Sequence, residues 1–154
     1  MDYKGTMAIR FWLGVASAEY AAWAVASGVH QVSAQLRAEC ARIGRADGLV
    51  LYSPRRRAGE EQPLRDFTAL GRVADSGIVR VDGETVPGEH WRPFRRRVEW
   101  FPEASPVPLR LMAPVLDFAQ TGPDWAAPLR RGLVEISARD FQALRLAMRP
   151  VPPE

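Results

Sequence analysis

The chain is 154 residues long, 47% hydrophobic and 25% charged, with a net charge of +3. That profile belongs to an ordinary globular protein of one domain with one core. No apolar run is long enough to cross a bilayer, no secretory signal is read at the start, and cytoplasmic residence is expected.

Residues 1–8 read as a polar leader. Residues 9–15 (IRFWLGV) are a short apolar run with aromatics, expected as a buried strand. Ser17 opens a helix to about Ser27, with Gly28 as its stop and Tyr20, Trp23, Ala24 and Ser27 on its inner face. Residues 31–45 read as helical or irregular. Residues 48–52 (GLVLY) form a second strand, ended by Ser53-Pro54, and a polar loop spans residues 55–63. Residues 67–74 and 78–81 are the next strands, the latter closed by an Asp82-Gly83 turn. Residues 94–101 (FRRRVEWF) are the longest strand candidate. Pro102, Pro106 and Pro108 break the chain before a short helix over residues 109–118. Residues 132–136 form the last strand. Ser137 then caps a helix through Met148, with Asp140 at the reciprocal capping position. Residues 149–154 are a proline-rich tail. Short strands without regular βαβ alternation point to a small, bent, barrel-like sheet flanked by helices over residues 9–148.

Chemistry is sparse. Glycine-rich phosphate loops, G-x-S-x-G and HExxH are all missing, so no catalytic residue is assigned and the chain is read as a non-enzyme. His30 and His90 are the two histidines, and neither has a second ligand at metal spacing. Cys40 is the one cysteine and reads as a small buried apolar residue. No metal and no cofactor are expected. Lys4 is the only lysine, so the positive charge is nearly all arginine. Of the five tryptophans, Trp23 and Trp100 read as core. Trp91 and Trp125 sit in loop-like segments, as lids over the core or as plates on which a base stacks. Along residues 94–100, Phe94, Arg96, Val98 and Trp100 share one face. A guanidinium there needs an anionic or carbonyl partner, for which Asp47 and Glu135 are the candidates.

Several segments in order resemble the EVE family: Phe11-Trp12-Leu13-Gly14-Val15-Ala16-Ser17, Asp47 with Val50-Leu51-Tyr52-Ser53-Pro54, Phe67-Thr68-Ala69-Leu70-Gly71-Arg72-Val73, Pro93-Phe94-Arg95-Arg96 and Trp125 with Leu129-Arg130-Arg131-Gly132-Leu133. The resemblance covers nearly the whole chain. It implies an α+β fold, a PUA-like bent mixed β pseudo-barrel flanked by helices, related to the YTH and ASCH domains. It also implies a reader that holds a flipped-out, often modified, base of DNA or RNA. The chain departs from the family at Ala34-Gln35-Leu36, where many relatives have His-Gly-Lys, and at Ala46, which stands for a glycine. Phe94 stands for a tryptophan and Ala126 for a glycine. The expected pocket lies at one end of the barrel, lined by Trp12, Ser17, Gln31, Tyr52, Ser53, Thr68, Phe94 and Trp125. Arg55, Arg56, Arg57 and Arg130 are the expected phosphate contacts. An ASCH-like hydrolase of a modified nucleoside and a protein-interaction module are the competing readings.

Overall fold

The computed structural model describes residues 8–82, 86–88 and 91–149. The leader through Met7, Gly83 of the expected turn, His90 and the tail from Pro150 lie outside them. The strands are β1 (Phe11–Val15), β2 (Val29–Val32), β3 (Gly48–Ser53), β4 (Asp66–Val73), β5 (Val79–Arg80), β6 (Phe94–Trp100), β7 (Val107–Pro108) and β8 (Leu133–Ile136). The helices are α1 (Ala18–Ser27), α2 (Arg37–Arg42), α3 (Leu109–Met112) and α4 (Ala138–Met148), with short 3-10 turns between.

The strands make one mixed sheet in the order β2-β6-β4-β3-β1-β8, with β5 beside β6 and β7 beside β4. β1 and β3 run parallel, and the other pairs are antiparallel. The sheet curls because β6 serves two leaves. Its first half pairs with β2 and β5, Phe94 facing Val32 and Arg80. Its second half pairs with β4, Val98 facing Val73 and Trp100 facing Gly71. At Gly71 a Cβ would stand 2.6 Å from the Glu99 carbonyl oxygen, so only glycine lets the two strands approach this closely. The result is an α+β fold, a curled half-barrel flanked by four helices.

Both faces of the sheet are covered, which is why β3 is buried at every position. On one face Trp12, Leu49, Leu51, Ala69 and Val98 pack with α1 and α2 residues such as Tyr20, Ala24 and Cys40. On the other, Leu13, Val50, Tyr52 and Phe67 pack with Met112 of α3 and with Phe141, Leu144 and Met148 of α4. Ser17 caps α1 by accepting from the Tyr20 N–H, and Gly28 ends it in the left-handed conformation at φ 70°. Trp23 is only partly buried and Ser27 is exposed, so the inner face of α1 is Tyr20, Ala21 and Ala24. Ser137 caps α4 as expected. Asp140 departs from expectation: its carboxylate accepts from the Asp117 and Phe118 N–H groups and so caps a 3-10 turn instead of its own helix.

β2 lies where helix or irregular chain was expected from residue 31. Its sequence, VHQV, carries polar side chains that bury only because partners reach them from other elements. The alternation along β6 holds: Phe94, Arg96, Val98 and Trp100 are buried, and Arg97 and Glu99 are exposed. Arg96 is fully buried. Its partner is neither Asp47 nor Glu135. Asp75, just beyond β4, accepts from Arg96 Nε at 2.7 Å and binds the Arg97 N–H through its second oxygen. Arg96 also donates to the carbonyls of Cys40, Ile43 and Asp75. Asp47 is spent on the Arg10 and Gly44 N–H groups and the Trp12 indole. Glu135 is exposed and pairs with Arg10 and Arg42.

Two predictions follow from this framework. Arg96→Ala strands the Asp75 carboxylate and the carbonyls at the end of α2, a loss of about 3–5 kcal/mol in urea unfolding, and Arg96→Lys, without the planar fork, does not restore it. Ala46 holds φ at 75°, where an alanine is strained. Ala46→Gly is expected to stabilise the fold by about 0.5–1 kcal/mol, read as a raised melting temperature.

Candidate nucleic-acid interface

A buried polar cluster occupies the face of the sheet that carries α1. Tyr20 reaches it from α1, His30 and Gln31 from β2, Arg92 from the segment before β6 and Arg95 from β6 itself. The Tyr20 hydroxyl accepts the Gln31 N–H at 2.7 Å and is hydrogen-bonded to His30 Nδ1 at 2.9 Å. Arg92 donates to the Gln31 carbonyl at 3.1 Å, and its guanidinium lies 4.5 Å from the centre of the Tyr20 ring. The Gln31 side chain is clamped at both ends, donating to the Arg92 carbonyl and accepting from Arg95 Nε, each at 2.8 Å.

No carboxylate pairs with Arg92 among the described residues. Burial lowers the Arg92 guanidinium from its ordinary value and pushes the Tyr20 phenol up to about 12. Burial, assisted by Arg92, lowers His30 to about 3, so its ring is neutral. His30 Nε2 has no hydrogen-bond partner among the described residues. A Cβ at position 14 would stand 3.1 Å from that nitrogen, so Gly14 of β1 is what makes room for the ring.

The expected pocket residues do not share one pocket. Gln31 belongs to the cluster above, and Ser17 caps the helix that brings Tyr20 to it. Ser53 and Thr68 are bonded to each other at 2.7 Å, and Ser53 is fully buried. Trp12 is buried, with its indole on Asp47 and the Arg10 and Arg42 guanidiniums over its ring. Phe94 is buried between the guanidiniums of Arg37 and Arg80, and Arg80 also lies over the exposed Trp91. Tyr52 and Trp125 do meet, but on the opposite face of the sheet, where they line a cleft of about 400 Å³ with Arg65 and Arg130. Burial raises the Tyr52 phenol, with Arg65 and Arg55 close enough to oppose that and Asp66 to add to it.

The polar loop of Arg55, Arg56 and Arg57 is tied to the start of α1. The Arg55 and Arg56 carbonyls accept the Ala18 and Glu19 N–H groups, completing the start of α1, and Arg57 lies 3.7 Å from Glu19. Cys40 is buried, and burial raises its thiol to about 11. No group of three or more potential metal ligands exists among the described residues, and no helix there is long and apolar enough to cross a membrane.

The sequence reading missed Tyr20, His30, Arg92 and Arg95 as partners. Neither metal spacing nor the inner face of α1 shows that His30 and Tyr20 meet. The available signal was the pair of polar residues in VHQV directly after a helix stop.

Fold and site together define a small half-barrel domain with a buried basic and aromatic cluster on one face of its sheet. No family model matches the chain. A UPF0310 protein of Renibacterium salmoninarum is 36% identical over 138 residues, covering 90% of this chain and 94% of its own length. One from Mesorhizobium japonicum is likewise 36% identical over 138 residues, covering 90% and 91%. The chain therefore belongs to the UPF0310 family. Among solved structures, protein Atu2648 of Agrobacterium tumefaciens superposes with a TM-score of 0.57 at 13% identity, over 94% of this chain and 97% of that one. A hypothetical protein from Leishmania major gives 0.56 at 11% identity, over 91% and 94%. These two share the fold.

The cluster gives a pH test. The unfolded chain takes up a proton at His30 near pH 6.5, while the folded ring resists it down to about 3. A depressed histidine pKa means that stability is lost as the pH falls, here by about 1.4 kcal/mol per unit below 6.5. His30→Gln removes that titration. The stability gap between wild type and variant is expected to narrow steadily from pH 6.5 to about 4.5 in parallel urea titrations.

Proposed function

We propose that this UPF0310 protein is an EVE-like reader that takes a flipped-out, modified base of DNA or RNA at the Tyr20–His30–Gln31–Arg92 cluster. The carrying observation is the position of Arg92. Its guanidinium is a planar, hydrogen-bonding group, half-buried over the Tyr20 ring and against the Gln31 carbonyl, with no carboxylate paired to it among the described residues. An extruded base has the same needs: an aromatic plate for its face and polar atoms for its edge. Tyr20 supplies the plate. The Gln31 carbonyl, which now accepts from the Arg92 guanidinium, is freed as an acceptor once that side chain swings away, while the Gln31 amide stays clamped by the Arg92 carbonyl and Arg95. His30 Nε2, already without a partner among the described residues, adds a further polar atom. Arg92 lies outside the strands, and departure of its guanidinium gives up only the bond to the Gln31 carbonyl and the contact with the Tyr20 ring. The arginine-rich composition supports an anionic partner without locating it.

Melting curves with a panel of modified and unmodified nucleosides test this reading. At least one modified nucleoside is expected to raise the wild-type melting temperature, and to raise that of Arg92→Ala more, because the slot is then vacated. Tyr20→Leu is expected to weaken that nucleoside by about 1–3 kcal/mol, the usual worth of one stacking partner. Silence of the whole panel on both wild type and Arg92→Ala would reject the reading.

A further inference from the structure

The cleft at Trp125 lies across the sheet from the base cluster, and nothing above uses it. A second cleft of about 410 Å³ adjoins it, sharing Arg65, Leu109 and Trp125 and adding Arg110. The two form one open groove running past a half-buried indole. Its walls are tied together through Arg65, whose N–H reaches the Pro54 carbonyl and whose carbonyl accepts the Leu109 N–H at 2.9 Å. Arg65 holds φ at 59°, a conformation that β-strand and helix residues avoid. The floor is apolar, with Leu109 and Pro108 beside Trp125. Arg65, Arg110 and Arg130 line the groove and are exposed. None of these arginines is in an ion pair among the described residues, whereas Arg10, Arg42, Arg57, Arg80, Arg96 and Arg139 all are.

We infer that this groove is a track for single-stranded nucleic acid, in which the guanidiniums hold successive phosphates and Trp125 stacks one base. Charge decides the occupant. A row of unpaired guanidiniums beside an accessible indole matches a chain that alternates planar rings with anions. An acidic peptide would meet the charges but would leave the indole without a planar partner. A duplex offers no unstacked base. The inference borrows only its partner class from the reader proposal. It adds a second contact surface, independent of base identity.

The test is binding of a fluorescein-labelled oligothymidylate, about 12 nucleotides long and within the span of a small domain, to the full chain by anisotropy over a salt series. Wild type is expected to bind and to quench its tryptophan emission. The Arg110→Ala/Arg130→Ala variant changes only exposed side chains. It is expected to bind at least about tenfold more weakly and to lose about 0.7 of salt slope per arginine removed. Trp125→Phe keeps an apolar ring in place and is expected to bind more weakly with little change in melting temperature. An arginine variant with unchanged affinity and slope would overturn the track, as would a polyglutamate peptide that displaces the oligonucleotide at equal concentration while Trp125→Phe binds it as wild type does. Tyr20→Leu separates the two proposals. It is expected to retain oligothymidylate binding, so loss of nucleoside recognition with retained, arginine-dependent strand binding defeats the base cluster alone.

Discussion

The buried guanidinium of Arg96 holds this fold in its curled shape. It sits at the middle of β6, opposite His30, where the strand passes from the β2/β5 leaf to β4. From there it reaches the Asp75 carboxylate beyond β4 and the Cys40 and Ile43 carbonyls at the end of α2. Those carbonyls are among the groups a helix end leaves unpaired, so one side chain closes α2 and joins it to both leaves. Apolar contacts alone specify no single angle between leaves, because they are non-directional. The planar fork of arginine is directional, and burying it without every partner in place is expensive.

That geometry places β2 beside β6 and so assembles the polar cluster. Arg95 follows the β6 pleat to Gln31, and the β2 backbone meets the Tyr20 hydroxyl. α1 is held in register at its start by Ser17 and by the Arg55 and Arg56 carbonyls, which fixes where Tyr20 points. Gly14 leaves space for the His30 ring, and Gly48, against Phe11 and Phe141, lets α4 close on the far face. A polar cluster satisfied from this many elements is rigid, and among the described residues it leaves Arg92 without a carboxylate and His30 Nε2 without a partner.

Elements cover the sheet on both sides, and both faces present aromatic rings and arginines, yet they differ in kind. The α1 face is closed and polar inside. The far face carries an open groove, apolar along its floor and lined by guanidiniums without ion pairs among the described residues. Strand ends and loops taken as one barrel mouth put Gln31 and Trp125 in a single pocket, but the curled sheet lies between them.

Much of the fold was legible because it is encoded locally. The Ser17 and Ser137 caps, the Gly28 stop, the apolar run of β3 and the alternation of β6 each need only a few neighbouring residues, and the burial of Arg96 followed from its place among Phe94, Val98 and Trp100. Tertiary structure alone decided what local pattern leaves open. It chose Asp75 over Asp47 and Glu135 as the partner of Arg96, sent the Asp140 carboxylate to another segment, and made a strand of VHQV. It also set Tyr52 and Trp125 on the far side of the sheet from Gln31. The physical reason is the same in each case. A buried polar group must find a partner, and which partner lies within hydrogen-bond reach depends on strand order and curl, contacts tens of residues apart that no short window of sequence contains.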